Sequence, residues 1–67
     1  MEFELRDEYI TLAQLLKACD VVYSGGQAKE YLASMEVVVN GVNENRRGNK
    51  IYHGDIVETN GIRIEVK

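Results

Sequence analysis

The stretch Ser24-Gly25-Gly26-Gln27-Ala28-Lys29-Glu30-Tyr31-Leu32-Ala33-Ser34-Met35-Glu36-Val37-Val38-Val39-Asn40-Gly41 changes periodicity at Met35, and that change decides the fold class. Ser24 followed by Gln27 at the third position is the grammar of a helix N-terminus, a hydroxyl that caps and an amide that reaches back. Ala28, Tyr31, Leu32 and Met35 then recur at i, i+3, i+4 and i+7, one apolar stripe along a helix. Beyond Met35 three β-branched valines favour extended backbone and lead into Asn40-Gly41, a dipeptide suited to a tight turn. A helix that gives way to a strand and its turn predicts an α+β chain.

Reading outward from there, Thr11 and Gln14 repeat the capping pattern, with Ile10 and Leu15 placed as a hydrophobic staple. Leu12, Leu15, Leu16 and Cys19 form a second stripe with Lys17 off it, so a first helix runs from Thr11 to near Asp20. Met1, Phe3 and Leu5 alternate with Glu2, Glu4 and Arg6, the period of a short edge strand. Towards the other end, Ile51, Ile56 and Val57 flank His53-Gly54-Asp55. A second Asn-Gly pair, Asn60-Gly61, precedes Ile62, Ile64 and Val66 in alternation with Arg63, Glu65 and Lys67. The expected architecture is two short helices packed on a small, mostly antiparallel β-sheet, a single domain over residues 1–67.

A chain of 67 residues has room for one core, and a domain this size buries only about 60% of the surface its unfolded chain exposes. Its 45% hydrophobic and 28% charged content is that of a folding globular sequence. The lone Cys19 excludes an internal disulfide and a multi-cysteine zinc site, and its place on the first stripe assigns it to packing. His53 is the single histidine, without a metal-binding companion, and reads as a turn residue. No G-x-x-x-x-G-K-[ST] loop, G-x-S-x-G elbow or H-E-x-x-H helix is present, so neither an enzyme nor a cofactor is expected. Without a leader, a lipidation signature or an apolar run near 18 residues, a soluble cytoplasmic chain with no membrane partner is expected.

The net charge of −3 hides a segregation: Glu2, Glu4, Asp7 and Glu8 crowd the N-terminus, whereas Arg46, Arg47 and Lys50 fall within one short stretch. Asn45-Arg46-Arg47-Gly48-Asn49-Lys50 offers guanidinium groups, amides and a glycine, the groups that grip phosphate oxygens and 2'-hydroxyls. A solvated loop with a few surface ion pairs is the alternative there. Ser24-Gly25-Gly26 would leave backbone N–H groups open at the positive end of the second helix, where a phosphate docks. The competing reading is a plain cap, with the glycines admitting the first helix closely. Lys29 lies about one turn beyond those N–H groups; otherwise it is an ordinary solvated lysine near Glu30. Tyr9, Tyr23, Tyr31 and Tyr52 could each stack on a base, but Tyr31 lies on the core stripe and Tyr23 is placed as a staple, and Tyr52 is taken as the candidate.

Taken in order, the capped first helix, the run S-G-G-Q-A-K, V-N-G, then N-R-R-G-N-K and G-D resemble the S-four RNA-binding domain, also called the alpha-L motif. The likeness spans about Tyr9 to Glu58 and is nearest to the short stand-alone bacterial members, with the N-terminal and C-terminal strands outside that core. It implies RNA, above all ribosomal RNA or a ribosomal particle, held by the second helix, the turn before it and the adjoining β-loop. By position it assigns Ser24, Gly25, Gly26, Gln27 and Lys29 to the helix part of the surface and Asn40, Arg46, Arg47 and Lys50 to the loop part. Gly54 and Asp55 match the family's structural turn. Many members carry arginine where this chain has Gly25. The acidic N-terminal segment lies outside the common core and is expected to add a strand or to face a protein partner. A protein-interaction module built on that segment is the alternative function.

Overall fold

The computed structural model describes all residues from Met1 to Lys67. Two helices, α1 (Leu12–Ala18) and α2 (Gly25–Ser34), stand among short strands: β1 (Glu2–Phe3), β2 (Ile10–Thr11), β3 (Val37–Val39), β4 (Val42–Asn43), β5 (Lys50–Ile51), β6 (Ile56–Thr59) and β7 (Ile62–Val66). Five strands form one sheet in the order β1-β7-β6-β3-β4, and β2 and β5 form a separate two-stranded ribbon. All pairings are antiparallel except β1 beside β7. The predicted α+β class, two helices with a mostly antiparallel sheet, is what the chain adopts.

Local chemistry sets each boundary. Thr11 caps α1 with its hydroxyl on the Gln14 N–H, while Gln14 returns its amide oxygen to the Thr11 N–H, a complete capping box. Ser24 accepts from the Gln27 N–H in the same way, but Gln27 reaches one residue further back and takes the Tyr23 N–H. The first helix closes through Asp20, which adopts a left-handed φ of 61°, with Asp20 N–H on the Lys17 carbonyl and Val21 N–H on the Leu16 carbonyl. That is the Schellman closure, built here on aspartate instead of glycine. Both Asn-Gly pairs make hairpin turns with consecutive positive φ, 51° and 83° at Asn40-Gly41 and 49° and 76° at Asn60-Gly61. Such turns match the twist of the strands they join.

The core gathers both predicted stripes against the sheet. Leu12, Leu15, Leu16 and Ala28 are fully enclosed with Ile51, Val57 and Ile64, and Cys19 packs at the margin. Burial, with Asp20 beside it, pushes the Cys19 thiol up, so the group stays protonated and inert. Tyr31 and Thr59 fasten α2 to β6 through a 2.7 Å hydroxyl pair, and Thr59 also donates to the Glu36 carbonyl. Met35, the last member of the second stripe, is the C-cap and stands 40% exposed at the rim.

One finding here differs from the expectations. Tyr23 is no staple: it is 78% exposed, and the closure at Asp20 delivers Val22 to the interior in its place. The C-terminal strand β7 lies between β1 and β6 and buries Ile64 and Val66.

Candidate functional site

The cationic loop joins β4 to β5 and is held by its own backbone. The first N–H groups of any α-helix lack intrahelical acceptors. In α1 they find them on this loop: Leu12 N–H donates to the Asn49 carbonyl at 2.8 Å and Ala13 N–H to the Arg47 carbonyl at 3.0 Å. A turn from the Asn49 N–H to the Arg46 carbonyl and a bond from the Glu44 N–H to the Val37 carbonyl fix the rest. With Thr11 taking the Gln14 N–H, the start of α1 is fully used by the protein itself.

Arg46 is not a freely solvated cation. Its Nε and Nη2 donate to the two carboxylate oxygens of Glu44 at 2.9 and 3.0 Å, and its backbone N–H adds a third bond to the same carboxylate. The fork draws the Glu44 carboxyl down to about 2 and raises Arg46 further above neutrality. Of the five N–H groups on a guanidinium, the two bound to Glu44 leave three without a partner in the protein, so the carboxylate fixes the direction of Arg46 while offsetting its charge. Arg47 is exposed and unpaired. Lys50 lies 4.9 Å over the ring of Tyr9. Arg46, Gly48, Asn49, Lys50 and Tyr52 line one shallow, open groove.

At the start of α2 the structure removes one of the reasons offered for the glycines. A Cβ on Gly25 or Gly26 would meet nothing within 4 Å, so neither glycine is there to let α1 approach. Their N–H groups find no acceptor in the protein, whereas the Gln27 and Ala28 N–H groups are taken by the hydroxyl and carbonyl of Ser24. Lys29 is exposed on the same helix and joins no ion pair. This end of the candidate surface follows the turn after α1, whereas the loop abuts the start of α1.

Asn40 is the assigned residue whose side chain serves the fold most directly. Its amide donates to Asp55 at 3.0 Å and its oxygen accepts the Ile56 N–H at 2.8 Å, tying the β3–β4 turn to the start of β6. Asp55 also accepts the Tyr52 N–H, and Gly54, at a φ of 93°, completes the turn before β6. His53 occupies that turn, with its two ring nitrogens 2.9 Å from the carbonyls of Asp7 and Lys67.

Sequence reasoning passed over two members of this region. Glu44 was findable two residues ahead of Arg46. Tyr9 becomes visible only through the pairing of β2 with β5. The acidic N-terminal segment adds the edge strand β1 to the sheet through Glu2–Phe3, as expected of it, and buries Leu5. Lys67 and Arg63 pair with Glu2 and Glu65, which leaves Arg6, Lys17, Lys29, Arg47 and Lys50 as cations without a carboxylate. No helix is long and apolar enough to cross a membrane, and no cluster of three or more histidine, cysteine or acidic side chains is gathered to hold a metal.

Comparison with known proteins adds two findings. A family model described as the S4 domain matches residues 3–67. A relative from Bacillus subtilis (strain 168), named a probable ribosome maturation protein RlbA, is 56% identical over 54 residues, which cover 81% of this chain and 76% of that protein.

Proposed function

Since this chain belongs to the S4 domain family, we propose that it binds structured RNA of the ribosome and acts in ribosome assembly or ribosome-associated quality control, in the cytoplasm and without catalysing a reaction. The observation that carries this reading is the loop holding Arg46, Arg47 and Lys50, which two main-chain hydrogen bonds clamp to α1. A loop already ordered loses little entropy on binding, so its cations contribute more of their attraction to affinity. In a chain of net charge −3, such a clamp concentrates positive charge where the sum would not suggest it.

In this mechanism Arg47, Lys50 and the outward N–H groups of Arg46 take phosphates on one side. The open N–H groups of Gly25 and Gly26, with Ser24, Gln27 and Lys29 around them, take another. Cations and backbone donors recognise backbone shape and carry little base information, so A-form geometry is read in preference to sequence. Asn40 contributes by holding the turn beside the loop, and a direct contact from it would first exchange its bonds to Asp55 and Ile56.

The test is binding to ribosomal RNA fragments across a salt series, with an Arg46→Ala, Arg47→Ala double variant beside the wild type. Neutralising Z phosphates gives a slope of log affinity on log salt of about −0.7Z to −0.9Z, so the variant should lose up to about two units of Z. No binding above background at low salt would overturn the proposal.

A further inference from the structure

The β2–β5 ribbon carries an aromatic pair that the fold does not use. Its register pairs Ile10 with Ile51 and Thr11 with Lys50, and one further step sets Tyr9 opposite Tyr52. Ile51 is fully buried and Ile10 packs on the core, so period-two alternation turns both tyrosines away from it. The rings lie 6.2 Å apart at 51°, tilted open, and Tyr9 and Tyr52 are 40% and 44% exposed. Neither hydroxyl makes a hydrogen bond within the protein, and neither ring belongs to the core. Lys50, diagonal to Tyr9 on the same face, covers a Tyr9 face with its ammonium. Tyr52 instead lines the open groove, beside Arg46, Asn49 and Lys50.

We propose that this groove receives one unpaired nucleotide, its base stacked on Tyr52 against the Tyr9 edge and its flanking phosphates held by Lys50 and Arg46. A paired base inside an A-form helix has no face to offer a side chain, whereas a bulged or looped base does. The planar Asn49 amide, whose side chain makes no hydrogen bond in the protein, stands on the same wall to meet the base edge. The inference rests on the RNA reading above and narrows its substrate to a helix interrupted by an unpaired base. The cationic loop alone would bind continuous duplex as well.

The experiment compares two RNA hairpins at low salt, one with a single bulged 2-aminopurine and one fully paired, each titrated with the whole protein. The bulged hairpin should bind about tenfold more tightly, within the range that stacking one base contributes, and its fluorescence should fall as the base stacks. Tyr52→Ala should abolish that preference and the fluorescence change, Tyr9→Ala should reduce both, and Tyr52→Phe should keep both because the ring is what acts. Equal affinity for the two hairpins with unchanged fluorescence would overturn the stacking site and leave the RNA reading standing. A preference that persists undiminished in folded Tyr52→Ala, as judged by thermal melting, would overturn it too. Binding of neither hairpin would overturn both.

Discussion

Glu44 joins the fold to the candidate surface in one side chain. Its carboxyl titrates near 2 instead of the ordinary 4.5 because the Arg46 fork favours the charged form. A depressed folded pKa stabilises the protein above the unfolded value, and that stabilisation disappears as pH falls through the folded one. The denaturation midpoints of wild type and Glu44→Gln should therefore differ by a constant amount above about pH 4.5 and converge as pH approaches 2. The difference will be small, since Arg46 is largely in water. Arg47 and Lys50 have no carboxylate to release, so Arg47→Ala or Lys50→Ala should each lower the salt slope of RNA binding by about one unit of Z. Asn40 separates structure from contact: Asn40→Ala removes two hydrogen bonds and leaves alanine at a φ of 51°. It should cost about 1–3 kcal/mol in chemical denaturation.

Between helix and loop the decisive bonds are those of Leu12 and Ala13. Amides in the first turn of a helix ordinarily exchange fast, but these two have loop carbonyls as acceptors and should be protected in hydrogen exchange. Thr11→Ala should lower stability by about 1 kcal/mol and speed exchange at both amides, showing that cap and loop open together. At the other helix, Gly26→Ala meets no steric obstacle and should raise stability by up to about 1 kcal/mol while weakening RNA binding if phosphate approaches that backbone closely. Elements with a period were legible in the sequence: α1 and α2 through their apolar stripes, β3 and β6 through β-branched runs closed by Asn-Gly, and β7 through its alternation after the second Asn-Gly. The β2–β5 ribbon was not, because two-residue strands hold no period. Nor was the parallel setting of β1, since strand direction follows from how the chain returns to the sheet edge. Tyr23 was misplaced because a closure on a left-handed aspartate gives no glycine to announce it.

For the molecule as a whole, a core of twelve residues sets a narrow margin. A domain of this size is stable by roughly 3–10 kcal/mol, and Leu16→Ala would remove about 2–5 of it, enough to populate the unfolded state in a thermal melt. The clustering of basic residues was legible in the sequence, and so was the S4 likeness. The aiming of Arg46 by Glu44 was not, nor the meeting of Tyr9 with Lys50, because both depend on how separate segments come together. The loop is anchored to α1 through carbonyl oxygens, which every residue type possesses. Side chains at Arg46, Arg47 and Asn49 can therefore be exchanged while that anchorage persists, so what the loop presents to solvent is uncoupled from how it is held.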